Sequence, residues 1–340
     1  MTTARLRVTR TQILAFRRRV GALDQRLPAG RRSLRRAAWA GLQDSMPRAA
    51  LLSIHARVEG AGPTAWDHPS FVQVWGPRYQ LYVVAVPDLA VFTLGRLPDA
   101  GKTRQKAEDL AERLHVFLGG DRMRYDDAGQ ALGVHGNTLR YAALTGRLAI
   151  RWEGARRPTV WTVPPPEIAP AEATLELARR YLHIFGPAGP EAFGKWAGIG
   201  VQTAARAFDD LGTELVPVLT PSGDAWMLAR DEPTIREAPA PAAAARLLPS
   251  GDAYTLRATS EDRALLVPDV GQRRELWTPR VWPGALLVAG EIVGTWRRAE
   301  RKVTIQAWRR LSRSAREAVV AEAESLPLPD AGGRIVVHWN

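Results

Sequence analysis

The chain has 340 residues, of which 46% are hydrophobic, and its 47 Lys and Arg against 35 Asp and Glu give a net charge of +12. This length and apolar content predict two or three packed domains and exclude global disorder, while the absence of cysteine excludes disulfides, thiol nucleophiles and Cys-ligated zinc. The excess charge is mostly arginine, which favours a nucleic-acid partner, unless an Arg-rich proteome from a GC-rich genome explains it.

Histidine spacing and hydropathy limit the other classes of function. The six histidines show no HxxxH or HxH spacing, so we expect no metal site and no cofactor. The basic N-terminal segment lacks the apolar stretch of a signal peptide, and no apolar run of about 18 residues occurs. We therefore expect a monomeric cytoplasmic protein, associated with the nucleoid and not with a membrane.

The first predicted unit contains three helices, over 11–20, 33–42 and 46–58. The run "SFVQVWGPRYQLYVVAV" follows them as a two-strand ribbon that turns at Gly76-Pro77. Helices followed by such a ribbon are typical of a winged helix.

A polar triplet stands inside this unit, in the segment "GLQDSMPRAALLSIHARVEG". Gln43, Asp44 and Ser45 precede a very apolar helix, and Pro47 disfavours helical backbone at the residue before it. The triplet is then a tight elbow between two helices. Asp44 or Ser45 could be a helix N-cap, or the triplet could be a reaction centre.

Other side chains near the triplet allow two interpretations each. His55 and Arg57 lie on a helix that is apolar nearly all round, which predicts burial. His55 is then a hydrogen-bonded core residue or a DNA contact, and Arg57 meets a carboxylate or a phosphate. Trp75, Arg78 and Tyr79 at the ribbon turn suit stacking and phosphate contact, although a Trp at a ribbon end is also ordinary core.

The segment 107–165 has the clearest winged-helix pattern. A helix through Ala107–Leu118 ends at Gly119-Gly120, a second helical pair follows, and the strands "RLAIRW" and "PTVWTV" flank a basic tip. Asn137 and Thr138 are suitable N-caps for a recognition helix. The residues of this unit that we expect to contact DNA are Asn137, Thr138, Arg140, Arg151, Arg156 and Arg157.

The rest of the chain repeats this plan once and then changes character. Segment 172–235 gives helices and a ribbon, and the Pro/Ala-rich stretches 161–173 and 237–252 are predicted linkers. After them "ALLVP", "GALLVAGEIVGTWRRAERKVTIQAW" and "GRIVVHW" indicate a β-rich module with one helix at 311–325. Arg297, Arg298, Arg301 and Lys302 fall on a hairpin turn, either as DNA-backbone contacts or as a solvated turn.

Four segments carry a resemblance that covers about residues 10–325: "AGLQDSMPRAALLSIHARV", "FVQVWGPRYQLYVVAVPDL", "ARLLPSGDAY" and "VAGEIVGTWRR". In this order they resemble the AlkZ/YcaQ-like winged-helix DNA glycosylases. The resemblance implies an α+β fold of three tandem winged-helix units, which form a concave basic cradle, with a C-terminal β-rich module. The implied boundaries are 1–98, 99–166, 167–238 and 239–340.

The same resemblance implies an activity, the hydrolysis of the N-glycosidic bond of N7-alkylpurine or crosslinked bases in double-stranded DNA. The family signature Gln-x-Gln or Gln-x-Asp falls on Gln43, Asp44 and Ser45, which are the implied catalytic residues. Ser45 is neither Gln nor Asp, and "RYQLY" stands where the family has "RGTLH". The expected DNA contacts are Arg48, His55, Arg57, Trp75, Arg78, Tyr79, Asn137, Thr138, Arg140, Arg151, Arg156, Arg157, Arg297 and Arg298.

Chemistry assigns possible roles to the triplet. Cleavage builds positive charge on the sugar, so an amide oxygen or a carboxylate near it, together with an oriented water, lowers the barrier. Gln43 can hold that water, and Asp44 can act as its general base. Two alternatives stay open: a non-catalytic DNA-binding protein, such as a lesion sensor or regulator, and a protein-interaction module whose basicity is compositional.

Overall fold

A computed structural model describes residues 5–46, 48–154, 156–237, 241, 244–328 and 334–340. Within these ranges the chain is an α+β protein, as predicted. Its strands form three sheets. Among the described helices, none combines the length and the hydropathy that a membrane span needs.

The N-terminal segment corrects one predicted helix. The helix expected over 33–42 ends at Ala37, because Gly41 adopts a left-handed φ of 71° and the chain then becomes extended. A side chain at Gly41 would also clash with the Tyr82 ring, 2.8 Å from where its Cβ would lie. The elements are β1 (Leu6–Arg7), α1 (Arg10–Val20), α2 (Arg31–Ala37), β2 (Leu42–Gln43), α3 (Ala49–Arg57), β3 (Phe71–Trp75), β4 (Leu81–Ala85) and α4 (Leu89–Thr93), with 3-10 turns at Ala65–Asp67, Pro77–Tyr79, Val86–Asp88 and Leu94–Arg96.

In the second segment two helices end at Gly119 and Gly146, as predicted, and both glycines adopt a left-handed φ. Its predicted recognition helix is a 3-10 helix over Gly136–Thr145, and its N-cap is His135, whose ring accepts a hydrogen bond from the Asn137 amide at 3.2 Å. Asn137 and Thr138 are therefore not the caps. The elements are α5 (Lys102–Leu118), β5 (Met123–Arg124), α6 (Tyr125–Ala131), β6 (Leu148–Arg151) and β7 (Thr159–Thr162).

The third segment contains the predicted helices and ribbon. Its long helix begins five residues before the predicted start at Leu175, at Pro170, where proline suits the first helical turn. The elements are α7 (Pro170–Phe185), α8 (Pro190–Ala197), α9 (Val201–Leu211), β8 (Leu215–Thr220), β9 (Gly223–Leu228) and α10 (Glu232–Arg236), with 3-10 turns at Gly212–Glu214 and Ala229–Asp231.

The C-terminal module contains the predicted hairpin and helix, but "ALLVP" is not a strand. Thr259 caps a helix there by accepting a hydrogen bond from the Asp262 amide at 3.2 Å. Residues 238–240 and 242–243 of the predicted linker lie outside the described residues, and its end forms a strand. The elements are β10 (Ala245–Leu248), α11 (Ser260–Leu266), α12 (Val270–Leu276), β11 (Gly284–Val288), β12 (Glu291–Ala299), β13 (Lys302–Ala307), α13 (Arg313–Glu324) and β14 (Val336–Trp339).

The sheets cross the predicted unit boundaries. Strands of the first and second segments form one six-stranded sheet, in the order β2-β4-β3-β6-β7-β5. The N-terminal β1 pairs in parallel with β8 of the third segment. Packing also spans units, because Phe16 of α1, Tyr82 of β4 and Trp196 of α8 share one buried cluster.

A buried ion pair ties α3 to the C-terminal module. Arg57 donates two hydrogen bonds to the Asp252 carboxylate, at 2.7 and 2.8 Å, and Ser53 donates a third at 2.7 Å. Burial alone would raise the pKa of Asp252, but the Arg57 guanidinium and these hydrogen bonds hold it below its ordinary value. The loop Pro249–Asp252 is thereby fixed over α3.

We predict that Arg57→Ala lowers the free energy of unfolding by about 3–5 kcal/mol, because it leaves the Asp252 carboxylate buried without a counter-charge. Urea denaturation monitored by tryptophan fluorescence measures the loss. Arg313→Ala is the control, since its ion pair with Glu317 is exposed and its removal should change stability by about 0.5 kcal/mol or less. Equal losses in the two variants would contradict the prediction.

Candidate active site and nucleic-acid interface

The triplet lies on a strand edge and not in a helix elbow. Leu42 and Gln43 of β2 pair with Val83 and Tyr82 of β4, and the Asp44 amide continues the ladder by donating to the Leu81 carbonyl at 2.8 Å. Because side chains alternate along an extended strand, Gln43 and Ser45 share one face and Asp44 takes the other.

Gln43 presents an amide oxygen with no partner among the described residues, and that oxygen is buried. Its amide lies against Gly251, where an added Cβ would be 3.1 Å from Nε2. Gly251 also has a φ of 75°, which a side chain would strain. The loop that Asp252 anchors therefore covers the Gln43 amide closely, and within the described part of the chain the buried amide oxygen is left without a hydrogen-bond partner.

Asp44 stabilises the start of α3. Its carboxylate is fully buried and accepts hydrogen bonds from the Ala50 amide and from the Gln73 side chain, both at 3.0 Å. Arg48 Nη1 lies 3.5 Å from the same carboxylate. Burial raises the pKa of Asp44 to about 6, against the lowering effect of these partners.

These contacts correct the interpretation of Asp44 as the general base. The side chain points to the face opposite Gln43, and its oxygens are taken by a helix N-terminus and two side chains. The N-cap residue of α3 is Arg48, so neither Asp44 nor Ser45 is the N-cap, although the Asp44 carboxylate accepts a hydrogen bond from the Ala50 amide in the first turn. Ser45 makes a different contact: its hydroxyl donates to Gln80 Oε1 at 2.9 Å.

Arg48 and Arg151 both lie against Trp66, where the motif meets the second segment. Their guanidinium carbons lie 3.7 and 4.9 Å from the centroid of the Trp66 ring. Arg151 also pairs with Asp67 and Glu153. Burial lowers the pKa of Arg48, whereas the Asp67 hydrogen bond raises that of Arg151.

A cleft of about 310 Å³ lies beside the triplet. Met46 and Ser250 line one part of it, and these residues adjoin the triplet and Gly251. Trp282 and Trp296 supply aromatic walls, and Arg297 and Arg298 add positive charge. The cleft combines apolar surface with a cationic border, and its lining begins three residues after Gln43, at Met46.

Three predicted DNA contacts are buried in the core. His55 is 7% exposed, its Nε2 lies 3.1 Å from the Ser325 hydroxyl, and burial lowers its pKa to about 4. The guanidinium of Arg57 is buried in its ion pair with Asp252. Trp75 packs in the hydrophobic cluster of the second segment. The prediction that these three side chains contact DNA is therefore wrong, because packing and pairing leave them almost no accessible surface for a phosphate.

The turn of the first ribbon meets the 3-10 helix of the second segment. Tyr79 lies edge-on to Tyr141, with ring centroids 5.2 Å apart, and its ring is 4.9 Å from Arg96 and 5.4 Å from Arg140. Arg78 occupies the left-handed region at this turn. The structure thus brings Arg78, Tyr79 and Arg140 together, half-buried, at the junction.

The remaining predicted contacts lie at three separate surface positions. Asn137 is exposed at the start of the 3-10 helix, with Thr138 half-buried beside it. Arg156 and Arg157 are exposed on the second wing. Arg297 and Arg298 are exposed on β12, where they donate to the carbonyls of Val281 and Glu300 at 3.2 and 2.9 Å.

Sequence reasoning missed the partners that orient the triplet. Gln73 holds Asp44 and accepts a hydrogen bond from the Trp152 amide at 2.6 Å. Gln80 holds Ser45, and Gly251 covers Gln43. Two signals were visible: "RYQLY" departs from the family pattern at Gln80, and "LLPSGD" was part of the resemblance without a role.

Comparison with known proteins decides the family. The family described as "DNA glycosylase AlkZ-like" matches residues 34–327. The chain belongs to the AlkZ-like DNA glycosylase family. The predicted resemblance is confirmed, and so is the prediction of a DNA glycosylase, an enzyme class that hydrolyses N-glycosyl bonds.

Two relatives come from Streptomyces sahachiroi. The curated "Interstrand DNA cross-link repair glycosylase" is 23% identical over 267 residues, covering 70% of each protein. The solved structure of the "DNA glycosylase AlkZ" superposes with a TM-score of 0.80 at 19% identity, over 98% of this chain and 100% of that one. This AlkZ-like chain therefore shares the AlkZ fold over its whole described length.

We predict that Asp44→Asn removes a pH dependence of stability. The pKa of Asp44 rises from 3.8 to about 6 on folding, so between these values the folded state binds more protons than the unfolded state. Stability of the AlkZ-like fold then falls as pH rises through this window, by up to about 3 kcal/mol. Urea denaturation of both proteins at intervals from pH 4 to pH 7 measures the difference, and identical profiles would contradict the prediction.

Proposed function

We propose that this protein hydrolyses the N-glycosidic bond of N7-alkylpurines in double-stranded DNA, including bulky and crosslinked adducts, with Gln43 as the central catalytic residue. The unpaired, buried amide oxygen of Gln43 carries the proposal. A water bound there would attack C1′ while the same oxygen offsets the charge on the sugar. An N7-alkylpurine leaves as a neutral base, so no general acid is needed.

The distribution of charge supports DNA as the partner. The chain carries a net charge of +12, and exposed arginines lie on the second wing and beside the aromatic cleft. We therefore propose phosphate contacts for Arg156, Arg157, Arg297 and Arg298. Arg48, Arg78, Tyr79, Arg140 and Arg151 stay proposed contacts at the junction of the first two segments, with Asn137 and Thr138 at the 3-10 helix. A monomer that acts on nucleoid DNA in the cytoplasm fits these surfaces.

We predict that Gln43→Ala slows base release from a duplex with one N7-alkylguanine by roughly 100-fold or more, because it removes the group that orients the water. DNA affinity should change little, since Gln43 contributes no charge. Single-turnover assays with both variants, and fluorescence anisotropy for binding, measure the two quantities. Asp44→Asn is the control, and its rate should stay within about tenfold of wild type because Asp44 faces away from the reaction.

The same assay separates the enzyme from a non-catalytic DNA-binding protein, which the serine at position 45 favours. If wild type and Gln43→Ala are equally inert on bulky and small adducts but bind DNA with equal affinity, the enzyme proposal fails and the lesion-sensor function remains.

The cleft supports bulky adducts. Its volume of about 310 Å³ exceeds what a methyl group needs, and Trp282 offers an aromatic wall for an apolar or aromatic substituent. The adduct would enter the cleft while the alkylated base stays beside Gln43.

We predict that Trp282→Ala lowers the rate ratio between an aromatic N7-alkylguanine and N7-methylguanine by about tenfold, the value of one lost apolar wall. Competition between the two duplexes in one reaction measures this ratio directly. Trp339→Ala on β14 is the matched control, since Trp339 lies outside the cleft lining. An unchanged ratio in Trp282→Ala would exclude the cleft as the adduct site.

A further inference from the structure

The pairing of β2 with β4 brings a second glutamine, Gln80, next to Ser45. Gln43 pairs with Tyr82, and the Asp44 amide donates to the Leu81 carbonyl, so Ser45 stands opposite Gln80. Directly opposed residues of an antiparallel pair share a face, with Cβ atoms about 5 Å apart. The Ser45 hydroxyl accordingly donates to Gln80 Oε1 at 2.9 Å. Gln43, Ser45 and Gln80 therefore belong to one face.

We propose that Gln80 is a water-positioning residue, which acts through Ser45 and supplies, from the position just before β4, the amide that position 45 lacks. This inference rests on the proposed function. The hydroxyl of an isolated serine rotates freely, and its proton then competes for the site of the water. Gln80 takes that proton into its own hydrogen bond, so the Ser45 oxygen can only accept. Cooperativity between successive hydrogen bonds also makes it a stronger acceptor.

The spacing suits one water molecule between two acceptors. Residues 43 and 45 are separated by about 7 Å along an extended strand, which leaves room for a water hydrogen-bonded to both side chains. Gln43 Oε1 and Ser45 Oγ would each accept one proton of this water, turning its lone pair toward C1′. The water oxygen bonds to C1′ as the C1′–N9 bond breaks, and the bonding pair neutralises the cationic purine. The surplus proton of the water passes to solvent.

The amide nitrogen of Gln80 extends the site. Its oxygen is occupied by Ser45, so its two N–H groups project from an exposed side chain, and the described hydrogen bonds assign them no acceptor. They can donate to the phosphate or sugar oxygen next to the abasic position that forms. Ser45 and Gln80, which flank the paired residues of β2 and β4, together thus provide the amide that position 45 alone lacks.

The test is a double-mutant cycle in single-turnover base release from an N7-alkylguanine duplex. We expect Ser45→Ala and Gln80→Ala each to slow the chemical step about tenfold or more, and the double variant to lose no more than the worse single variant. DNA affinity and the thermal midpoint should stay at wild-type values. Gln306→Ala is the matched control, because Gln306 is also an exposed glutamine but lies on β13 and bonds to Glu275.

Two further variants test whether an amide at position 45 can replace Gln80 and whether the Ser45 hydroxyl responds to a charge at position 80. Ser45→Gln in the Gln80→Ala background should recover most of the lost rate. Gln80→Glu should give a rate that rises with pH through about 4.3, the ordinary range of an exposed glutamate, because the hydroxyl then donates to a carboxylate. If Gln80 had a purely structural role, Ser45→Gln would not restore the rate and the rate of Gln80→Glu would not depend on pH in this range.

Each failure has its own signature. If wild type releases base and Gln43→Ala does not, but Gln80→Ala matches wild type, the inference about Gln80 is wrong and the proposed function stands. Additive losses in the double variant, or no rescue by Ser45→Gln, would also overturn it. An inert wild type overturns the proposed function and the inference together.

Discussion

Two residues of antiparallel pairing, Leu42 and Gln43 against β4, determine the chemistry that the motif can perform. In a helix, residues 43 and 45 would diverge by about 200°, whereas an extended backbone through Asp44 turns them to the same side. The same alternation turns Asp44 into the protein, where its carboxylate holds α3 and Gln73. The carboxylate one position early is thus part of the frame that fixes the strand, and its oxygens are occupied by these partners.

A second constraint comes from the opposite side of the site. The C-terminal module reaches α3 through the Arg57–Asp252 pair, and Gly251 then lies against the Gln43 amide. A desolvated ion pair of this kind has little net value for stability when complete, but it sets the register of the two surfaces tightly. The Gln43 amide therefore lies between an N-terminal strand and a C-terminal loop that are about 200 residues apart in sequence.

Local sequence patterns predicted much of the fold, but not which way the side chains of the triplet point or which residues they contact. The ribbon at Phe71–Ala85, the breaks at Gly119 and Gly146 and the basic β12–β13 hairpin follow from periodicity and turn residues, and all are present. β2 could not be predicted, because two residues have no period and are extended through pairing with a distant strand. "ALLVP" was misassigned for a related reason, since a short apolar run fits a buried helix as well as a strand. Gln73, Gln80 and Asp252 act across long sequence separations that no local pattern records.

The motif is also coupled to the second segment. Gln73 bonds both the Asp44 carboxylate and the Trp152 amide, and the guanidinium groups of Arg48 and Arg151 both lie against the Trp66 ring. A phosphate that bound Arg151 would compete with Asp67 for the guanidinium and weaken its hold beside Trp66. Arg48 contacts the same ring and pairs with the Asp44 carboxylate. A change at the surface of the second segment would therefore reach the strand that carries Gln43 through two contacts, at Gln73 and at Trp66.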